Sequence, residues 1–233
     1  MDTQTSGDRL ITVWASYGIP KKFINARFDN YYPRNNEQKA SVDKCREYAE
    51  QDINDIIGGK GLFLHCPVTG TGKTHLAVAT VYAIIAANVG GFGYKNKPSE
   101  FTSYEESQLI NLYNGRYTAG FVNVTDLLTT LQESYSGDER AQQKAVYMLH
   151  RAKVDDLLIM DDIGAMKPTE WVESQLYNLV DLRYRMERPM IFTSNCTMDD
   201  LEKKVGKRVV SRIFEVTDGV YVPGPDFRKR KLA

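Results

Sequence analysis

Four short runs along the chain are apolar or nearly so: Leu62-Phe63-Leu64, Phe121-Val122-Asn123-Val124, Leu157-Leu158-Ile159-Met160 and Met190-Ile191-Phe192-Thr193. Runs this short and continuous suit strands covered on both faces, as in a parallel sheet. Between them, apolar residues recur at helical spacing. Val42, Cys45, Ala49, Ile53 and Ile56 form one stripe that Gly58-Gly59 ends, and Leu76, Ala77, Ala79, Ala83, Ile84 and Ala87 form another that stops at Asn88-Val89-Gly90-Gly91. Leu127-Leu128-Leu131 and Val146-Tyr147-Leu149 mark two helices flanking Ser136-Gly137-Asp138. Thr169-Glu170 opens a further helix through Val172, Leu176, Leu179 and Val180. Strands alternating with helices predict an α/β fold with a parallel sheet of about five strands and helices on both faces.

The first run leads into Cys66-Pro67-Val68-Thr69-Gly70-Thr71-Gly72-Lys73-Thr74, and a helical stripe follows at once. A glycine-containing turn at a helix N-terminus presents successive backbone N–H groups to an anion, which small residues allow to approach closely. The spacing predicts that Gly70, Thr71, Gly72, Lys73 and Thr74 cradle phosphates, with Lys73 reaching the β- and γ-phosphates and the Thr74 hydroxyl ligating Mg²⁺. A strict phosphate loop has glycine where this chain has Pro67, which cannot donate an N–H. The bland alternative is a glycine turn that only joins strand to helix. A dinucleotide-binding turn is excluded, because His75 stands where its third glycine would fall.

About ninety residues later the third run ends in Asp161-Asp162, at the strand end where open α/β sheets bind ligands. Two acids there suit metal-dependent phosphoryl chemistry, with Asp161 holding Mg²⁺ and Asp162 polarising the attacking water. The fourth run ends in Ser194-Asn195, an amide placed to orient that water or to touch the γ-phosphate. Downstream, Arg208 and Arg212 lie one helical turn apart, and the basic stretch Asp226-Phe227-Arg228-Lys229-Arg230-Lys231 follows.

These pieces together resemble the AAA+ ATPases of the DnaC-type helicase loaders and the related IstB-type transposition ATPases. The likeness covers most of residues 17 to 228. It includes the lead-in from Tyr17-Gly18-Ile19-Pro20 to Phe28-Asp29-Asn30-Tyr31, the loop from Gly70 to Ala77, Leu158 to Ala165, Thr193-Ser194-Asn195 and the Arg208 to Arg212 box. It implies an ATP- and Mg²⁺-dependent ATPase with His75 alongside the loop residues at the nucleotide, Asn195 as sensor 1, Arg212 as an arginine finger acting in trans and Arg228 as the sensor 2 arginine. The family often has Glu where Asp162 stands. Implied partners are single-stranded or duplex DNA, a replicative helicase or a transposase, and copies of the same chain in a ring or filament. A non-hydrolysing scaffold that uses nucleotide only to hold its shape is the reading of another class.

The organisation expected is a lead-in segment and helix over residues 1 to 58, then an AAA+ core over residues 59 to 233 with no separate helical lid. Only about twenty residues precede Pro20, fewer than loaders use to grip a helicase. Phe28 or Tyr31 could cover the adenine, with packing the favoured role for both.

Residues 90 to 119 exceed the family's short turn. Phe92, Tyr94, Phe101, Tyr104, Tyr113 and Tyr117 are interleaved there with Lys95, Lys97 and Arg116, as a base-stacking surface would be. Glu100, Glu105 and Glu106 oppose that, leaving a partner-protein contact or a packed flap equally open.

With 233 residues, 42% of them hydrophobic, the chain can bury one substantial core. Thirty basic and thirty acidic residues cancel, so any nucleic-acid binding must come from a local surface or from assembly. Cys45, Cys66 and Cys196 form no C-x-x-C pair, and the His residues add no metal-ligand spacing. Reduced thiols in the cytosol are the expectation, with no apolar leader in Met1 to Gly7.

Overall fold

A computed structural model describes residues 18–88 and 118–228. The strands Gly61–His65 (β1), Ala119–Asn123 (β2), Leu157–Asp161 (β3), Met190–Ser194 (β4) and Thr217–Tyr221 (β5) form one sheet in the order β2-β3-β4-β1-β5. Every neighbouring pair is parallel, which makes the expected α/β sheet real. Pairings such as Leu62 with Ile191 and Asn123 with Asp161 keep the strand ends level. His65, Asn123, Asp161, Ser194 and Tyr221 therefore all finish on one carboxyl edge.

Helices cover both faces. The helix Asn36–Ala49 (α1) and the helix Lys73–Asn88 (α3) pack on one side with Leu62, Leu64, Ile159 and Ile191; the short helix Ile53–Ile57 (α2) adds Ile56. Val124–Glu133 (α4), Glu139–Val154 (α5), Glu170–Arg185 (α6), Met198–Val205 (α7) and Lys207–Val216 (α8) cover the other, over Phe63, Leu158, Met160 and Phe192. Alternate side chains of one strand thus enter different cores, the period of two that a pleated strand imposes.

Three local readings change. The stripe from Val42 to Ile56 is two helices, because the Asp52 side chain accepts from Asn54 N at 2.8 Å and restarts the helix after Ala49. The second run stops as a strand at Asn123, whose side chain accepts from Asp126 N at 3.2 Å and caps α4. β5, with Thr-Asp-Gly-Val-Tyr at the sheet edge, carries too few apolar residues to stand out as a run.

No helical lid follows β5 among the described residues. The predicted extra segment at 90 to 119 lies almost wholly outside them. No helix among the described residues is long and apolar enough to cross a membrane.

Candidate nucleotide-phosphate site

The carboxyl edge gathers the predicted residues because β1, β4 and β3 are adjacent there. β1 runs through Cys66, whose N–H still pairs with Ser194 O at 3.2 Å, and then bends through Pro67, Val68 and Thr69 on an exposed crest. Pro67 therefore sits where its missing donor is least felt. Gly70 and Gly72 adopt φ of 70° and 99°, a left-handed backbone that glycine enters without penalty. They also leave room: a Cβ on Gly72 would lie 2.4 Å from the Tyr31 ring.

Lys73, the first residue of α3, is 5% exposed. Its ammonium donates to Val68 O at 2.8 Å, Cys66 O at 3.0 Å and Thr71 Oγ1 at 3.4 Å. Burial lowers its pKa, while the nearby acids Asp162 and Asp161 work the other way. Thr74 Oγ1 donates to Asp161 Oδ1 at 2.7 Å, so the predicted metal-binding pair meets across 87 positions of sequence.

Asp161 is held by more than Thr74. Thr193 Oγ1 donates to the same carboxylate oxygen at 2.7 Å, and the Asn123 side chain also bonds to it. Burial nevertheless raises the Asp161 pKa, and Asp162 adds to that rise. The next residue turns sharply. Asp162 has φ 58°, a conformation tolerated by Asp and Asn more than by most residues. Asp162 N donates to Thr193 Oγ1 at 2.9 Å, Ile163 N to Thr193 O at 2.9 Å, and Asn195 Nδ2 to Asp162 Oδ1 at 2.6 Å. The second acid and the amide are thus one hydrogen-bonded unit.

Other predicted residues are placed differently. His75 joins the site's flank: its Nε2 lies 2.9 Å from Arg27 O, its ring meets Tyr31 at 5.6 Å, and burial lowers its pKa. Tyr31 and Phe28 are 7% and 8% exposed within the core, the packing role favoured for them. Tyr31 also braces the loop by donating to Thr71 O at 2.9 Å. Arg228 lies over the loop, bonded to Asp226 at 2.9 Å through Nε.

Arg208 and Arg212 stack on Tyr177 and Tyr184 of α6, with guanidinium-to-ring distances of 3.9 Å and 4.2 Å. Arg212 is the one that pairs with acids of its own chain, Asp181 at 3.5 Å and Glu215 at 3.3 Å, and it remains 32% exposed. Asp181 and Tyr184 belong to α6 and Glu215 to α8, away from the phosphate loop.

The fit of nucleotide and metal can be judged from these contacts. Hard divalent cations favour oxygen donors, and Mg²⁺ sites commonly use one or two carboxylates plus substrate phosphates. Thr74 and Asp161 supply such a pair beside a glycine loop and a buried lysine, so the residues present fit. Sequence reading passed over Thr193, Asn123, Tyr31's bond to the loop, and Asp226. For Thr193 and Asn123 the signal was available, since both lie at the carboxyl ends of strands that flank β3.

No protein-family model matches the chain. The replicative helicase loader DnaC of Escherichia coli (strain K12) is 23% identical over 196 residues, 84% of this chain and 66% of that protein. The replicative helicase loader DnaI of Bacillus subtilis is 27% identical over 154 residues, 65% of this chain and 38% of that protein. Among solved structures, the DnaC helicase loader superposes with a TM-score of 0.64 at 23% identity, covering 88% of this chain and all (100%) of that one. AMPPCP-bound DnaA from Aquifex aeolicus gives 0.57 at 19% identity, covering 85% and 50%.

The fold and the residues at its carboxyl edge define a P-loop protein of AAA+ architecture. In sequence the chain is similar to the replicative helicase loaders DnaC and DnaI, and in fold to the solved DnaC helicase loader.

Proposed function

We propose that the chain binds and hydrolyses ATP with Mg²⁺ at this edge, and uses the cycle to load or position a replicative helicase on single-stranded DNA. The observation that carries the nucleotide half is the Thr74 to Asp161 contact beside buried Lys73, with Asp162 and Asn195 joined next to it. Lys73 exchanges its loop carbonyls for phosphate oxygens, which are stronger acceptors for an ammonium. Backbone N–H groups from Gly70 to His75 line the cradle. Thr74 and Asp161 hold the metal, which when bound neutralises charge on the phosphates. Asp162 accepts a proton from the attacking water while Asn195 fixes the direction of its carboxylate.

Arg228 and Arg212 complete the site from outside the loop. Arg228 lies beside the phosphates of its own chain. Arg212 serves the site of a neighbouring copy in a ring or filament, where an arginine in trans contributes about 10³ to 10⁵ in rate. The loader reading is preferred to the transposition ATPase because the relatives with stated roles are helicase loaders.

Calorimetric titration with ATP and Mg²⁺ tests the nucleotide half. Lys73→Ala should weaken binding by about 10- to 100-fold, the value of one or two charge-assisted hydrogen bonds. No binding by the unmutated chain would sink the reading, and binding without turnover would favour the scaffold. A pull-down with a slowly hydrolysed ATP analogue tests the partner half, since capture of a transposase in place of a helicase reverses the assignment.

A further inference from the structure

Beyond Tyr221 the chain stays on the fold. Val222 N donates to His65 O at 3.0 Å, and Pro223 O accepts from the buried Gln38 side chain at 2.8 Å. The chain then crosses the phosphate loop as a strap. Phe227 N donates to Gly70 O at 3.0 Å, and its ring meets Tyr31 edge-on beneath the Arg34 guanidinium.

Asp226 sits between these anchors with its side chain 13% exposed. A Cβ on Gly70 would lie 1.8 Å from Asp226 Oδ1, so only glycine lets this carboxylate reach the loop. The same carboxylate accepts from Arg228 N at 3.0 Å, Nε at 2.9 Å and Nη2 at 3.2 Å. An anion therefore rests on a loop shaped for anions, and it occupies the cation beside that loop.

We propose that Asp226 is a positioning residue and an internal competitor for the triphosphate, its carboxylate holding Arg228 on the strap until a nucleotide phosphate takes the guanidinium over. This rests on the nucleotide-binding reading above. The exchange is feasible because the pair is weakly held. Arg228 is 65% exposed although Asp226 is only 13% exposed, and an ion pair whose cation is open to solvent is weakened by screening. Phosphate offers the same two-pronged geometry with more charge. A fully buried pair would resist the swap.

The test is a double-mutant cycle read by MgATP affinity at about 150 mM salt, where longer-range surface charge is screened. Asp226→Asn should tighten binding about fivefold, the affinity equivalent of about 1 kcal/mol. Removing a carboxylate near a polyphosphate could tighten binding by charge alone, whatever Arg228 does. The decisive comparison is therefore made in an Arg228→Gln background, where the gain from Asp226→Asn should fall below about twofold. Asp226→Ser supplies a second variant with the same expectation if the amide disturbs folding. Equal gains in both backgrounds, or none in either, overturn the competitor role while leaving nucleotide binding standing. Failure of the wild-type chain to bind MgATP overturns the nucleotide-binding reading itself, and this inference with it.

Discussion

Lys73 and Arg183 are both buried cations bonded mainly to backbone carbonyls, at opposite edges of the same sheet, and they are held in different ways. Lys73 takes its acceptors from its own loop, no more than seven positions away. Arg183, fully buried in α6, donates to Ala152 O, Asp155 O, Asp156 O and Pro189 O, tying the end of α5, the start of β3 and the start of β4 together. Burial lowers the pKa of both, in Arg183 to about 9. A cation that joins distant segments cannot leave without unpinning them. One held by its own loop can trade partners while the fold stays intact, which is what a ligand-binding cation needs.

The largest expected effect breaks the structural member. Arg183→Met strands several buried carbonyls, and each such group costs about 1–3 kcal/mol. A loss of about 3–5 kcal/mol is expected, seen as a fall in Tm of roughly 10 °C in thermal unfolding. Lys73→Ala should move Tm far less while weakening nucleotide binding. Similar melting losses in both variants would erase the distinction between the two edges.

An intermediate effect is expected at Asp161. Its folded-state pKa is raised above 3.8 by burial, so the ionised form present at neutral pH is a cost to folding. Asp161→Asn should therefore raise Tm at pH 7 while weakening Mg²⁺-dependent binding. The gain should shrink as pH falls and the wild-type carboxyl takes up its proton. Asp162→Asn should instead slow hydrolysis with binding nearly intact. Parallel binding losses in the two variants would show that the acids do not divide the work.

The smallest change is expected at Arg212. Its ion pairs are partly exposed, so Arg212→Ala should leave the Tm of the monomer nearly unchanged. Hydrolysis per subunit should drop, and mixing with Lys73→Ala should restore part of it at interfaces that pair an intact pocket with an intact arginine. Turnover that stays flat on dilution of the wild type would remove the trans role.

The contrast between the edges also marks what could be read from the sequence. Lys73, Thr74, Asp161 and Asn195 were legible because each closes or follows an apolar run, and strand ends in such a sheet converge. Arg183 was not, since a lone arginine in a helical stripe reads as a solvated residue and its carbonyl partners leave no side-chain signature. Asp226 was hidden for a related reason. Its role depends on β5 returning the chain across Gly70, and β5 was the strand with the weakest hydrophobic signal. The pairing of Arg212 with an acid of its own chain was not legible either, because it depends on how α8 aligns with Asp181 on α6.

The left-handed backbone at Asp162 bears on which side chains that position can accept. Most residues pay about 1–2 kcal/mol to enter this region, whereas Asp and Asn enter it more readily through local hydrogen bonds of their short side chains. A glutamate, frequent there in the resembling family, would reach one methylene farther and would also have to bear the torsion or unwind the turn that Thr193 fixes. At this point of the chain, the choice between two acids is governed by the shape of the main chain before the strength of either as a base enters.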